Sequence, residues 1–233
     1  MENKFGRIFR HKGELANEQV PPSESLREIE KHIERHLGKP GIVIHELSSK
    51  GVHVDIYVVP PRADRDFFTL VTSGMSDKPM NAPPPAGELK YAELMLCLPS
   101  SWQIKEGALS SEETWRKDWP TLWLRRLARF PHAFGTWFFW GHSLPNGDPA
   151  NPLAPDTSLC GWVSLEARLI PDEFKIMKRA DGGKTWFLAA VPLYREEMNL
   201  KLSQGTEKLE EMFAAAGVTE LIDPKRVNVA LKN

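Results

Sequence analysis

The chain has 233 residues, with 30 lysines and arginines against 31 aspartates and glutamates and a formal net charge of −1. That balance supplies no basic face for direct nucleic-acid binding, and no apolar run reaches the roughly 18 residues needed to cross a bilayer. With no apolar signal-peptide core near its start and Cys97 and Cys160 as its two cysteines, the chain is expected to be cytoplasmic, both thiols buried and reduced.

Residues 1–20 read as an N-terminal tail and 21–233 as one domain. The tail is basic at Lys4, Arg7, Arg10 and Lys12 and carries Phe5, Ile8 and Phe9, a pattern that reads as a frayed chain end in preference to a membrane-surface helix. The first helix is expected over 23–37: Leu26, Ile29, Ile33 and Leu37 form one stripe, Ser23 caps the start, and Gly38 with Pro40 ends it. Strands follow at 42–47 and 52–59, joined by a hairpin-like connection at 48–51. In the second, Val52, Val54, Ile56 and Val58 alternate with His53, Asp55, Tyr57 and Val59, as in a half-buried strand. Further strands are expected at 67–72 and 88–98, and 74–87 between them, with Pro79, Pro83, Pro84 and Pro85, reads as an ordered surface loop.

Ser110 and Glu113 form a capping box for a helix beginning near residue 111. Asp118 caps the next helix, which holds Pro120 in its first turn and runs to Arg129. Residues 136–140 are β-prone and lead into a second Pro-rich loop, 141–155. Two strands, 174–178 and 185–191, are joined by Asp181-Gly182-Gly183. A last long helix spans 195–216, with Met198, Leu202, Leu209, Met212, Phe213 and Ala216 in an arc of roughly 100°. Gly205 lies on that stripe, where close packing would require it. Gly217 supplies the C-cap and Val218 its apolar contact.

Sites of chemistry are thin. Gly182-Gly183-Lys184-Thr185 copies the tail of a phosphate-binding loop, but Lys178 stands where the first glycine is required and a strand follows, so a hairpin turn is expected. His132 and His142, with Asp77 or Asp156, lack the short paired spacing of zinc ligands. Ser143 has no nucleophile elbow around it, and Cys160 with a remote histidine is a weak thiol signal. No metal or cofactor is expected. Most of the eight tryptophans should be core, while Trp123 and Trp137 or Trp140, near loops, can line a groove. In Gly74-Met75-Ser76-Asp77, Gly74 suits a positive φ while Ser76 and Asp77 can satisfy turn N–H groups. Asp77 opens onto the Pro-rich loop, which gives it a binding role as the second reading.

The ordered set Phe68-Thr69-Leu70-Val71-Thr72-Ser73-Gly74-Met75-Ser76-Asp77, Ala92-Glu93-Leu94-Met95-Leu96, Trp119-Pro120, Leu127-Ala128-Arg129-Phe130-Pro131-His132, Thr136-Trp137, Gly141-His142-Ser143-Leu144-Pro145-Asn146-Gly147, Val191-Pro192-Leu193-Tyr194, Glu197 and the Gly205 helix resembles the suppressor-of-fused domain family. The resemblance implies an α+β fold, a mixed, largely antiparallel sheet packed against helices, and no catalytic activity. It is to the N-terminal lobe alone. The animal member holds a segment of a zinc-finger transcription factor as an added strand between two lobes. The tyrosine and aspartate that grip that segment correspond here to Phe130 and to Gly141 or His142, so neither polar contact is carried over. Bacterial single-lobe members are proposed to be immunity proteins that neutralise a toxin encoded nearby.

The reading that follows is a non-catalytic protein-binding module, its partner a toxin or a regulatory protein. The contact residues expected are Gly74, Met75, Ser76, Asp77, Phe130, Trp137, Gly141, His142, Pro145 and Asn146. A hydrolase using His142 and Asp77 as an acid–base pair is the rival, and a transcription-regulating role through a partner is the third reading.

Overall fold

The computed structural model describes residues 24–46, 52–104 and 118–231. Strands β1 (Ile42–Ile44), β2 (Asp55–Val59), β3 (Phe67–Ser73), β4 (Ala92–Pro99), β5 (Ser143–Pro145), β6 (Gly161–Leu165), β7 (Ile176–Lys178) and β8 (Lys184–Leu193) build one mixed sheet. Its spatial order is β1-β2-β3-β4-β8-β6-β5, with β7 pairing the start of β8. The β4–β8 pair is parallel and the others are antiparallel. Helices α1 (Glu24–His36), α2 (Trp119–Phe134), α3 (Arg195–Gln204) and α4 (Thr206–Ala216) accompany it.

Alternation along the strands sends side chains into two cores. Val54, Ile56, Val58, Leu70, Leu94, Leu96 and Leu98 meet Trp119, Trp123, Leu124 and Leu127 of α2 on one face. Tyr57, Val59, Val71, Met95 and Cys97 meet Ile29, Ile33 and Leu37 of α1 and Leu209 and Phe213 of α4 on the other. β2 is therefore buried throughout, not half-buried, because a second apolar layer covers Tyr57 and Val59. Each such aliphatic or aromatic side chain contributes about 1.5–3 kcal/mol on burial.

Several elements depart from expectation. β1 stops at Ile44 and β2 starts at Asp55. The 48–51 connection, the Ser23 cap, the Leu26 side chain, the basic tail and the helix near residue 111 lie outside the described residues. β4 begins at Ala92 because Pro84–Leu89 forms 3-10 turns. The Pro-rich loop ahead of it is pinned: Met80 is buried and its N–H donates to Lys90 O at 2.7 Å, and Asn81 bonds Thr136 O and Gly135 O through its N–H and Nδ2. α2 runs past Arg129 to Phe134. Pro131 sits in its last turn, so the missing N–H removes one bond before Gly135 closes the helix. Asp118 occupies the N-cap position without a side-chain capping bond. Residues 136–140 are irregular rather than a strand.

The long C-terminal helix is two helices. Gly205 takes φ 92° and ψ 167°, which ends α3 and starts α4 at an angle to it. Gly217 closes α4 as expected, with Val218 N–H donating to Phe213 O at 2.8 Å and its side chain buried. The Gly182-Gly183 segment is the β7–β8 hairpin turn, with Arg179 and Gly183 bonded across it at 3.0 Å.

Candidate functional site

The turn after β3 is organised by a residue on the neighbouring strand. Glu93 of β4 is fully buried, and its Oε1 accepts Gly74 N–H at 3.0 Å, Ser76 N–H at 2.9 Å and the Ser76 hydroxyl at 2.7 Å. Its Oε2 accepts the Thr72 hydroxyl at 2.6 Å. Burial pushes the Glu93 carboxyl above its ordinary pKa, and these four donors oppose the shift. Ser76 thus donates instead of accepting, and the acceptor for the Gly74 and Ser76 N–H groups is Glu93. An acid on an inward position of the apolar run Ala92-Glu93-Leu94-Met95-Leu96 was the available signal. Gly74 adopts φ 122°, and a Cβ there would stand 1.8 Å from His53 O, so only glycine fits.

Two other elements clasp the same turn. His132 Nε2 of α2 donates to Met75 O at 2.8 Å. Arg179 donates to Ser76 O at 3.2 Å while its guanidinium lies over the Tyr91 ring at 4.0 Å. Gly74, Met75 and Ser76 are consequently buried, and Asp77 alone of the four is exposed.

A groove of about 320 Å³ lies beside β5. Phe130 of α2, Trp137, Phe138 and His142 of the connection, Ser143 and Leu144 of β5, and Lys201 and Leu202 of α3 line it. Phe130, Trp137 and His142, expected as contact residues, thus come together, while Leu202, placed in the core by its periodicity, is 75% exposed at the rim. The His142 ring stands edge-on to Trp137 at 4.5 Å, and its Nδ1 accepts Phe139 N–H at 3.4 Å. Burial lowers the His142 pKa, the bond to the Trp137 backbone raises it, and the Lys201 charge lowers it further. Lys201 Nζ donates to Ser143 Oγ at 3.2 Å, and burial lowers its pKa too.

The remaining expected contacts have identifiable structural work. Gly141 is buried with its N–H on Ser164 O at 2.7 Å. Asn146 folds its loop by donating Nδ2 to Asn151 O and Pro152 O at 3.0 and 2.9 Å. Pro145 is exposed at the end of β5. The charged neighbour of His142 is Lys201, and Asp77 leaves from the end of β3, which β4, β8 and β6 separate from β5. The acid–base pair of the hydrolase reading is not assembled. Among the described residues, no three of His, Cys, Asp and Glu are grouped to hold a metal ion, and no helix is long and apolar enough to cross a membrane. Cys97 and Cys160 are buried free thiols, and burial pushes both pKa values up.

The family model described as Suppressor of fused protein (SUFU) matches residues 50–227. The chain belongs to the suppressor of fused protein family. A suppressor-of-fused homologue from Neisseria gonorrhoeae superposes with a TM-score of 0.62 at 14% identity, over 90% of this chain and 98% of its own. The Sufu–Fu complex gives 0.62 at 13% identity, covering 88% of this chain and 92% of that one. Drosophila Suppressor of Fused gives 0.63 at 14% identity, covering 89% of this chain and 52% of its own, so this chain spans about half the insect protein. At these identities the likeness is one of fold. A search of curated proteins finds no match.

Two residues of the family resemblance, Tyr194 and Glu197, help lock this suppressor-of-fused domain together. Glu197, buried at the start of α3, bonds Tyr194 N–H at 3.0 Å and pairs with both terminal nitrogens of Arg226, which ties the C-terminal segment to the helix.

Proposed function

We propose that this suppressor-of-fused domain is a cytoplasmic, non-catalytic protein-binding module, folded from residues 21–233, that takes an extended segment of a partner onto β5. The carrying observation is an open sheet edge beside an apolar groove. β5 pairs only β6 among the described strands and stands last in the sheet order. The register Leu144↔Trp162, with Ser164 N–H on His142 O and Asn146 N–H on Cys160 O, turns the backbone groups of His142, Leu144 and Asn146 inward. Those of Ser143 and Pro145 point outward. Ser143 therefore offers a donor and an acceptor to an added strand, and Pro145 an acceptor, while Phe130, Trp137, Leu144 and Leu202 offer apolar area. That a similar fold occurs in a Sufu–Fu complex supports a binding role.

The finer reading is an immunity protein whose partner is a toxin encoded nearby. Co-expression with the product of the adjacent reading frame tests it. Protection of growth and co-purification, both lost in Leu202→Asp, are the expected result. A neighbouring product that is neither bound nor neutralised overturns the immunity role, and binding untouched by Leu202→Asp overturns the assigned face.

A further inference from the structure

On that reading of the β5 face, we infer that the segment it binds carries an aspartate or glutamate, seated opposite Ser143 against the Lys201 ammonium. Lys201 projects from α3 into the groove lined by Phe130 and Trp137, with Leu202 at its rim. Its hydrogen bond goes to the Ser143 hydroxyl, which leaves two N–H protons of the ammonium for another acceptor. Among the described residues no carboxylate pairs with it. Some basic side chains have such partners, as Lys175 has Glu166 and Asp172 and Arg226 has Glu197, and others lie over aromatic rings, as Lys90 does over Tyr91 and Lys184 over Trp186, whereas the Lys201 ammonium is held in the groove by a neutral hydroxyl. The second titratable group of the groove is His142, which adds no negative charge.

The strand register gives the position. Ser143 presents its backbone to the open edge, and its side chain meets Lys201. In a sheet, the residue opposite on an added strand projects on the same face, with Cβ atoms about 5 Å apart. A side chain opposite Ser143 therefore arrives at Lys201 Nζ, within reach of one carboxylate. A basic residue there would meet like charge, and a neutral one would cover the ammonium without compensating it. The groove therefore discriminates by charge, with the apolar floor supplying area.

A displayed library of random eight-residue segments, selected on the full chain, tests this. Enriched peptides are synthesised, and each acidic residue is changed to its amide before titration against wild type, Leu202→Asp, Lys201→Gln and Lys201→Glu. Lys201 and Leu202 reach solvent, and thermal unfolding of each variant verifies the fold. The expected result is an Asp or Glu at one common position, whose conversion to the amide weakens binding about tenfold in wild type and hardly at all in Lys201→Gln. Lys201→Glu should prefer a basic residue at that position. Peptides that lose affinity in Leu202→Asp yet show no acidic preference, or lose the same factor in wild type and Lys201→Gln, overturn the charge selection and leave the binding face standing. No enrichment, or enrichment indifferent to Leu202→Asp, overturns the face itself and this inference with it.

Discussion

Glu93 shows how one side chain can hold a turn that local chemistry only sketches. Three of its four donors come from Gly74 and Ser76, so truncation leaves them buried and unpaired. Glu93→Ala should lower unfolding stability by about 3 kcal/mol or more, read from urea denaturation. Glu93→Gln can keep its amide oxygen on those three donors and offer its NH2 to the Thr72 hydroxyl, so a loss nearer ~1 kcal/mol is expected. Equal losses in the two variants would contradict the assignment. His32 supplies a pH dependence. Its Nε2 donates to Phe174 O at 2.9 Å, and its ring stacks on Phe174 and Phe187. Burial lowers its pKa below 6.5, the Phe174 bond raises it, and His36 and Arg35 lower it further. The unfolded chain then binds more protons in the window below 6.5, so the stability is present above that pH and is lost as pH falls through the folded value. The urea midpoint should drop between pH 7.5 and 5.0, conditions chosen to bracket the free-histidine pKa of about 6.5, and drop less in His32→Phe. Parallel profiles would contradict this, since His142 titrates in both proteins.

At the scale of elements, Gly205 separates two accounts. A glycine inside a continuous helix would gain about 1 kcal/mol when replaced by alanine. A joint with φ 92° and ψ 167° lies where L-residues are strained by about 1–3 kcal/mol, so Gly205→Ala should destabilise. Thermal unfolding decides, and a raised midpoint would contradict the joint. The same residue explains what periodicity could not reach. The arc over 195–216 assumes one unbroken helix, but α3 ends at Gln204, and Leu202 in its last turn is exposed at the groove while Met198 in its first turn, and Leu209 and Phe213 of α4, are buried. α1, β3, most of β4 and the Gly217 cap were legible, because apolar spacing and helix-end chemistry act within a few residues. β6 was missed: Gly161-Trp162-Val163-Ser164-Leu165 is too short to display a period and is buried on both faces by its neighbours. β5 was missed for the same brevity, and it contains Pro145. Of the groove, Trp137 was reached as a tryptophan near a loop, and Phe130 and His142 as contact residues through the family resemblance. Lys201 was not, because nothing local marks a lysine whose environment is assembled from three distant segments.

For the whole molecule, the sheet has two ends, and partner binding is proposed at one of them. β1 closes one end with Ile42–Ile44 paired to β2, and β5 closes the other beside the aromatic groove. The two Pro-rich loops act as braces. The first is held to the end of α2 through Asn81, and the second is folded on itself through Asn146. The Asn146 bonds hold the chain directly after β5, and a preformed edge lowers the ordering penalty of adding a strand. Gly74, Met75 and Ser76 of the turn are buried and support the domain, Asp77 is exposed, and recognition is proposed for β5. The most direct test is amide hydrogen exchange of the full chain alone and with the partner recovered by co-expression. Slowed exchange is expected at Ser143 and across 141–144, with Ile42–Ile44 unchanged. Protection at β1 or over the Gly74–Asp77 turn, with Ser143 exchanging as freely as in the unbound chain, would contradict it.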